Sequence, residues 1–392
     1  CSAGYNSIRF DDVITRHLLY RNLRDAYERE YRNGNSRWDL IDLARMCYAL
    51  RPDGIEWPLH EPGKPSFRLE DLSSANGIAH EGAHDALADV RATVDLARLI
   101  RKTQPKLFEW ALQMRSYSNV ARLLDTVEPK PVLHSSARIP ATHGCTAMML
   151  PLAVMPDRPK SVIAFDLSAD PAPLIRESAE TIHDLVFTPA ADMPEGIDRL
   201  PLKMIHGNHV PMLAPLGTLS GVDTGRIMMD PEACKQHARE LLGVLDTVKQ
   251  KVIDVFSTSR SDFVESSDPD RMLYSGEFFS SADRHLMNKI LQVPPSQLGG
   301  HLWSFQDARL PLMLFRYRAR NYPDTLSMEE RETWDKDRRI RLIETQDPDY
   351  FTLDAFQASV SELREQRKND TESQRILDQL ETWVTSSGIS GL

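Results

Sequence analysis

Two stretches, Gly4-Tyr5-Asn6-Ser7-Ile8-Arg9-Phe10-Asp11-Asp12 and Ala83-His84-Asp85-Ala86-Leu87-Ala88-Asp89-Val90, decide how this chain folds and what chemistry it can support. In the first, an acidic pair marks the point where a strand or loop turns into a helix striped by Val13, Ile14, Leu18 and Leu19. In the second, His84 precedes Asp89 by five positions. At about 100° per residue, positions five apart on a helix diverge by about 140°. His84 and Asp89 converge only if His84 sits in the loop entering the helix and Asp89 on its first turns. A carboxylate held on a rigid helix beside a mobile imidazole suits hydrolysis, because a bound cation acidifies water and histidine accepts the proton.

Oxygen donors favour Mg²⁺, or Mn²⁺, over zinc. Two such ions about 3.5–4 Å apart can clamp the attacking and leaving oxygens of a phosphodiester, which calls for about four carboxylates. Asp11 and Asp89 are the two that the spacing places. Asp85 reads as a helix N-cap rather than a ligand, and Asp12 reads equally as a carboxylate favoured by a helix N-terminus. A lone His-x-x-x-x-Asp is common by chance, so the weight falls on the two stretches together.

Working outward, Leu40, Ile41, Leu43, Ala44 and Cys47 give a second helical stripe. Leu87, Val90, Val94, Ala97 and Ile100 give a third, with Pro105 just beyond its end. Residues 1–104 therefore read as a helix-covered α/β domain. Over 105–258 short apolar segments (Ala147–Leu152, Ser161–Leu167, Leu202–His206) alternate with Pro and Gly turns, which predicts a mainly β domain closed by a helical stretch at Cys234–Phe256. Ser257–Asp270 is the linker candidate. Residues 271–392 are helical in pattern, and Leu353–Val384 carries charge pairs such as Glu362–Arg367 and Glu372–Arg375.

The bulk numbers set limits. The 392 residues, 41% hydrophobic and 27% charged, suffice for two or three packed domains. A net charge of -10 argues against coating duplex nucleic acid by bulk charge. It leaves room for a locally basic groove. No apolar run approaches the roughly 20 residues of a membrane span, and no signal peptide is evident, so a cytoplasmic place is expected. Cys1, Cys47, Cys145 and Cys234 are scattered without a disulfide framework. His206 and His209 lack partners for a zinc set and read as ordinary loop residues. The chain starts at Cys1 and its first methionine is Met46, so a partial reading frame is expected.

The pairing of Asn6–Asp11 with His84–Asp89 resembles the second and third motifs of the DEDDh exonucleases. Further strings narrow it to the exodeoxyribonuclease I family of bacteria: Asn35-Ser36-Arg37-Trp38-Asp39-Leu40, Cys47-Tyr48-Ala49-Leu50-Arg51-Pro52, Pro65-Ser66-Phe67-Arg68-Leu69-Glu70, Ala75-Asn76-Gly77-Ile78 and Phe315-Arg316-Tyr317-Arg318-Ala319-Arg320-Asn321-Tyr322-Pro323. The resemblance is dense over 1–110 and about 274–325. It implies an RNase H-like α/β exonuclease domain, then an SH3-like β domain, then an α-helical C-terminal domain. It also implies Mg²⁺-dependent 3′→5′ degradation of single-stranded DNA to 5′-mononucleotides in repair and recombination, by a monomer that binds the C-terminal tail of single-stranded DNA-binding protein. By matching position, Asp11 and Asp89 are metal carboxylates and His84 the general base. The family's first motif, an Asp-x-Glu on the first strand, has no counterpart before Asp11, so poor metal binding and a poorly folded nuclease part are expected.

Single strands are held by cations along the phosphates and aromatic faces under the bases. Asn6, Arg9, Phe10, Phe67 and Arg68 lie in the motif segments and are candidate contacts. Arg316, Arg318 and Arg320, interleaved with Phe315 and Tyr317, read either as a strand-binding patch or as a solvated face over a helix core. Arg51 could meet an acidic partner tail or make a structural pair. Two other functional readings stand beside nuclease action: a fragment that binds DNA or its partner protein without cutting, and a DEDDh proofreading subunit or oligoribonuclease. Those enzymes are usually shorter, and the roughly 280 residues after the motifs count against them.

Overall fold

The computed structural model describes residues 1–61, 63–79, 85–258, 266–347 and 350–388. They fall into two compact units, one of Cys1–Arg16 with Tyr27–Val264 and one of His17–Ala26 with Glu265–Leu392.

Unit 1 begins with strand β1 (Ser2–Gly4), which leads into helix α1 (Asp11–Arg21) and the short α2 (Glu28–Tyr31). Strand β2 (Arg37–Asp39) pairs parallel with β1, Gly4 opposite Asp39. Helix α3 (Leu40–Leu50) follows at once and buries Leu40, Ile41, Leu43, Ala44 and Cys47, the stripe expected there. A small hairpin, β3 (Leu59–Glu61) with β4 (Lys64–Pro65), precedes α4 (Leu69–Ala75), α5 (Ala86–Thr103), α6 (Pro105–Gln113) and α7 (Tyr117–Leu123). Pro105 opens α6, where its missing N–H costs nothing.

The rest of unit 1 is built on five antiparallel strands: β5 (Val132–Ser135), β6 (Thr146–Met155), β7 (Arg158–Asp166), β8 (Leu202–His206) and β9 (Met212–Pro215), in the spatial order β8-β7-β6-β5-β9. All three expected apolar segments are strands of this sheet. Both faces are buried, and the period-2 alternation of a strand divides its residues between two cores. Leu133, Met148, Leu150, Ile163 and Phe165 join the core that contains α3. Val132, Ala147, Met149, Val162 and Ala164 join the core that contains Val120 of α7. Helices α8 (Ala172–Arg176), α9 (Ala179–Phe187), α10 (Pro231–Gly243) and α11 (Leu245–Thr258) complete the unit. The helical stretch expected at Cys234–Phe256 is thus two helices.

Unit 2 is helical: α12 (Ser281–Ile290), α13 (Leu310–Asn321), α14 (Met328–Arg339), α15 (Leu353–Gln366) and α16 (Thr371–Ser386). A capping box at Ser327 and Glu330 starts α14. Arg375 pairs with Glu372 as expected, whereas Gln366 takes the carboxylate of Glu362. The expected linker is not a loose tether at its C-terminal end, because Asp270 is buried and held by Arg316 and Arg320.

Candidate nuclease site

The turn after β1 sets the site. Asn6 takes a left-handed conformation (φ 59°), one that asparagine tolerates better than most residues. The Asn6 and Ile8 N–H groups donate to the two carboxylate oxygens of Asp39, at 2.7 and 3.1 Å. Asp39 also caps α3, accepting from the Ile41 N–H at 3.1 Å. One carboxylate therefore ties the turn carrying Asn6 to the start of α3, and its burial pushes its pKa up against the pull of those N–H donors. Sequence reading missed this role, although an Asp directly before an apolar helical stripe is an N-cap signal.

Asp11 and Asp12 then part company. Asp11 opens α1 with an exposed side chain. Asp12 is buried, its oxygens taking Arg29 at 2.6 Å and Arg37 at 3.1 Å. Arg37 also meets Glu30 at 3.0 Å, and Arg16 grips Glu30 with two hydrogen bonds at 2.6 and 2.9 Å. The buried face of α1 within unit 1 is consequently ionic, while Ile14 of the expected apolar stripe is exposed.

Asp85 caps α5, accepting from the Leu87 and Ala88 N–H groups at 3.0 and 2.9 Å. Asp89 follows in the first turn of that helix. Asp11 and Asp89 line the same cavity of about 1060 Å³, together with Asn6, Phe67, Arg68 and the Val90–Val94 face of α5. Leu87, Val90 and Val94 are exposed, whereas Ala92, Leu96 and Ile100 point into the core, so the third expected stripe is buried only at its far end. His84 lies outside the described residues. Among the described residues no three His, Cys, Asp or Glu side chains converge as a metal cluster.

The candidate strand contacts divide. Arg9 and Phe10 are exposed, and Arg9 pairs with Asp42 at 3.3 Å. Arg68 is largely free of packing, 3.6 Å from Glu70. Phe67 lines the cavity of Asp11 and Asp89 but is only 9% exposed. Its ring sits edge-on to Tyr48 and Trp57, with the Arg45 guanidinium over it at 5.7 Å. Its carbonyl accepts from the half-buried Tyr5 hydroxyl at 2.7 Å.

Arg316, Arg318 and Arg320 are corrected. Arg316 is 4% exposed and bound to Asp268, Asp270 and Asp337. Arg318 forms a two-pronged pair with Glu330 at 2.7 and 3.0 Å. Arg320 binds Asp270 at 2.7 Å and the Arg21 carbonyl at 2.6 Å. These three hold unit 2 together rather than forming a basic patch. Arg51 likewise donates to the carbonyls of Leu50, Thr218 and Ser220, and Arg226 covers those of Tyr48 and Ala49. The C-terminal carbonyls of α3 are thereby satisfied, with half-buried Arg51 bridging the end of the helix to Thr218 and Ser220.

His206 ends strand β8 and His209 lies in the turn after it, their rings 4.9 Å apart. Burial, the neighbouring imidazole and Arg37, Arg16 and Arg9 bring the His209 pKa down to about 4. Cationic surroundings of this kind oppose a metal ion.

Comparison with known proteins decides the family. Residues 1–97 match the family described as Exonuclease, 115–258 the Exonuclease I SH3-like domain and 267–387 the Exonuclease I C-terminal domain. Exodeoxyribonuclease I of Haemophilus influenzae is 38% identical over 381 residues, 97% of this chain and 78% of that protein. The chain belongs to the exodeoxyribonuclease I family.

Among solved members of the exodeoxyribonuclease I family, exonuclease I from Methylocaldum szegediense superposes with a TM-score of 0.89 at 43% identity, covering 98% of this chain and 80% of that one. Escherichia coli exonuclease I in complex with a dA16 oligonucleotide gives 0.90 at 37%, covering 99% and 80%. Two further solved chains are an SSB/exonuclease I complex with the inhibitor CFAM (0.85, 36% identity, 98% and 79% covered) and a zinc-ion-bound form of the E. coli enzyme with single-stranded DNA (0.89, 37% identity, 99% and 80% covered). The order is that of the exodeoxyribonuclease I family: an RNase H-like α/β exonuclease domain, the SH3-like domain and the helical C-terminal domain. No helix among the described residues is long and apolar enough to cross a membrane.

Proposed function

We propose that this chain hydrolyses single-stranded DNA from the 3′ end to 5′-mononucleotides, as a monomer serving DNA repair and recombination. The observation that carries the reading is the shared cavity of Asp11 and Asp89. The E. coli relative solved with a dA16 oligonucleotide supports the substrate class.

Two carboxylates on one cavity fit a hard cation that keeps several water ligands, as Mg²⁺ does and Mn²⁺ can. When bound, such an ion supplies an acidified water and charge neutralisation at the phosphate. Asp11 and Asp89 would hold it. Asp39 fixes the turn from which Asp11 projects, and the Asp85 cap fixes the helix turn of Asp89. His84 is assigned as the base that takes the water proton. Asn6, Arg9, Phe10 and Arg68 are assigned to the strand near its 3′ end. The C-terminal tail of single-stranded DNA-binding protein is the proposed partner, on the precedent of the SSB complex of a relative.

A second reading, strand binding without cleavage, is favoured by the ion pairs of Asp12, a neighbouring carboxylate of the same cavity, with Arg29 and Arg37. The test uses single strands labelled at either end, with Mg²⁺ present. Release of mononucleotides from the 3′ end, abolished by Asp89→Ala, supports cleavage. Retention without degradation supports the second reading, and undiminished digestion by Asp89→Ala removes the site assignment.

A further inference from the structure

Two walls of the cavity come from distant parts of the chain and are tied by one side chain. Tyr5 stands in the turn after β1, and the segment Ser66–Arg68 runs between β4 and α4; Tyr5, Phe67 and Arg68 all line the cavity. The Tyr5 hydroxyl donates to the Phe67 carbonyl, 62 residues further on, at 2.7 Å. Burial pushes the phenol pKa up, with the Asp39 and Asp42 carboxylates adding to it against the pull of Arg45, so the donor keeps its proton. The Phe67 ring is seated separately, by Tyr48 and Trp57. What Tyr5 holds is the backbone.

Both ends of this tie lead to groups that matter. On one side, Asn6 follows Tyr5 with its N–H bound to Asp39 at 2.7 Å, and the Asp12 N–H donates to the Ser7 carbonyl at 2.9 Å, so the same turn sets the start of α1 and Asp11. On the other side, the Ser66 N–H donates to the Pro58 carbonyl at 2.8 Å, the Ser66 hydroxyl donates to Asp71, and the Arg68 carbonyl accepts from the Leu72 N–H at 3.0 Å as α4 begins. The Arg68 side chain is largely exposed, with Glu70 at 3.6 Å, so the reach of its guanidinium is set by where its backbone is held. One turn thus carries Asp11 directly and, through the Tyr5 hydroxyl, the backbone from which Arg68 projects.

We propose that Tyr5 is a positioning residue: its hydroxyl latches the Phe67–Arg68 wall to the turn of Asn6 and so sets the place of Arg68, and of the strand phosphate it meets, relative to Asp11 and Asp89. Tyr5 itself touches no phosphate in this role; it acts through Arg68. A hydrolytic site needs its phosphate grip and its carboxylates in register, because a displacement of about 1 Å is costly. The role of Arg68 rests on the function proposed above.

The test measures anisotropy of a labelled oligothymidylate of about 12 nucleotides bound to the full chain in EDTA, over a series of salt concentrations. Tyr5→Phe keeps the ring and removes the hydroxyl. Loss of the one hydrogen bond predicts an affinity lower by about fivefold. The substitution removes no charge, yet the salt dependence of log K should fall towards that of Arg68→Ala, which gives up one phosphate contact and about 0.7 of slope. A residue that served the fold alone would leave that slope unmoved. Placed on Arg68→Ala, Tyr5→Phe should cost less than about twofold more, since its effect runs through Arg68. Circular dichroism checks the fold of each variant. Should Tyr5→Phe fail to fold, Tyr5→Met, whose flexible side chain fills gaps, takes its place in the cycle. Affinity like the parent's in Tyr5→Phe, or an equal loss with and without Arg68, overturns the proposal. A parent that binds the strand without cutting it in Mg²⁺ removes the nuclease reading instead, and the binding cycle still decides on Tyr5.

Discussion

Asp11 and Asp12 are adjacent carboxylates with opposite duties, and burial separates them. Asp12 is 4% exposed and bridges Arg29 and Arg37. Removing one partner of a buried charge set leaves the others unsatisfied, at a cost of about 3–5 kcal/mol. Asp12→Ala should therefore lower the unfolding free energy by an amount in that range, read as a lower urea midpoint with the denaturant slope unchanged. Asp11→Asn, at an exposed position, should move stability by less than about 0.5 kcal/mol while abolishing Mg²⁺-dependent cleavage. Equal destabilisation by both substitutions would contradict the division of labour. Nothing in the sequence alone separates the two, because the partners of Asp12 lie 17 and 25 residues away. The arginines of α13 were misleading for the same reason. Charge on a helix defaults to the surface in a sequence reading, and only the fold brings Asp268, Asp270 and Asp337 to Arg316.

At the scale of elements, legibility followed coverage. Helix α3 was plain because its apolar stripe is buried, although the cap at Asp39 went unread. Three strands of the sheet, β6, β7 and β8, were legible as apolar runs bounded by turns, whereas the four-residue β5 and β9 went unread. On α1 and α5 the periodicity gave the apolar face correctly but not which face is covered: Ile14, Val90 and Val94 are exposed, while Asp12, Arg16 and Leu96 are buried. The end of β8 carries a pH prediction. The His209 pKa in the folded protein, about 4, lies below its ordinary 6.5, with burial the largest cause and the cations of Arg37, Arg16 and Arg9 adding to it. A depressed value means that the folded state binds protons less readily than the unfolded one. The contribution is present above pH 6.5 and is lost as pH falls towards 4. His209→Gln should flatten the fall in melting temperature over that window; a curve parallel to the parent's would contradict the assignment.

For the whole molecule, membership of the exodeoxyribonuclease I family fixes the order of domains, while the two compact units divide the chain differently. The exonuclease and SH3-like parts share unit 1, where α3 and the five-stranded sheet bury their side chains in one core. From α5 that core takes Leu96 and Ile100, at the end of the helix away from Asp89. The central claim is that Asp11 and Asp89 hold the same cation. Electron paramagnetic resonance of Mn²⁺ titrated into the full chain tests it, with Asp11→Asn and Asp89→Asn beside the parent. The account predicts that each single substitution removes most of the binding and that the double variant loses little more. Full-strength binding in either single variant would contradict it.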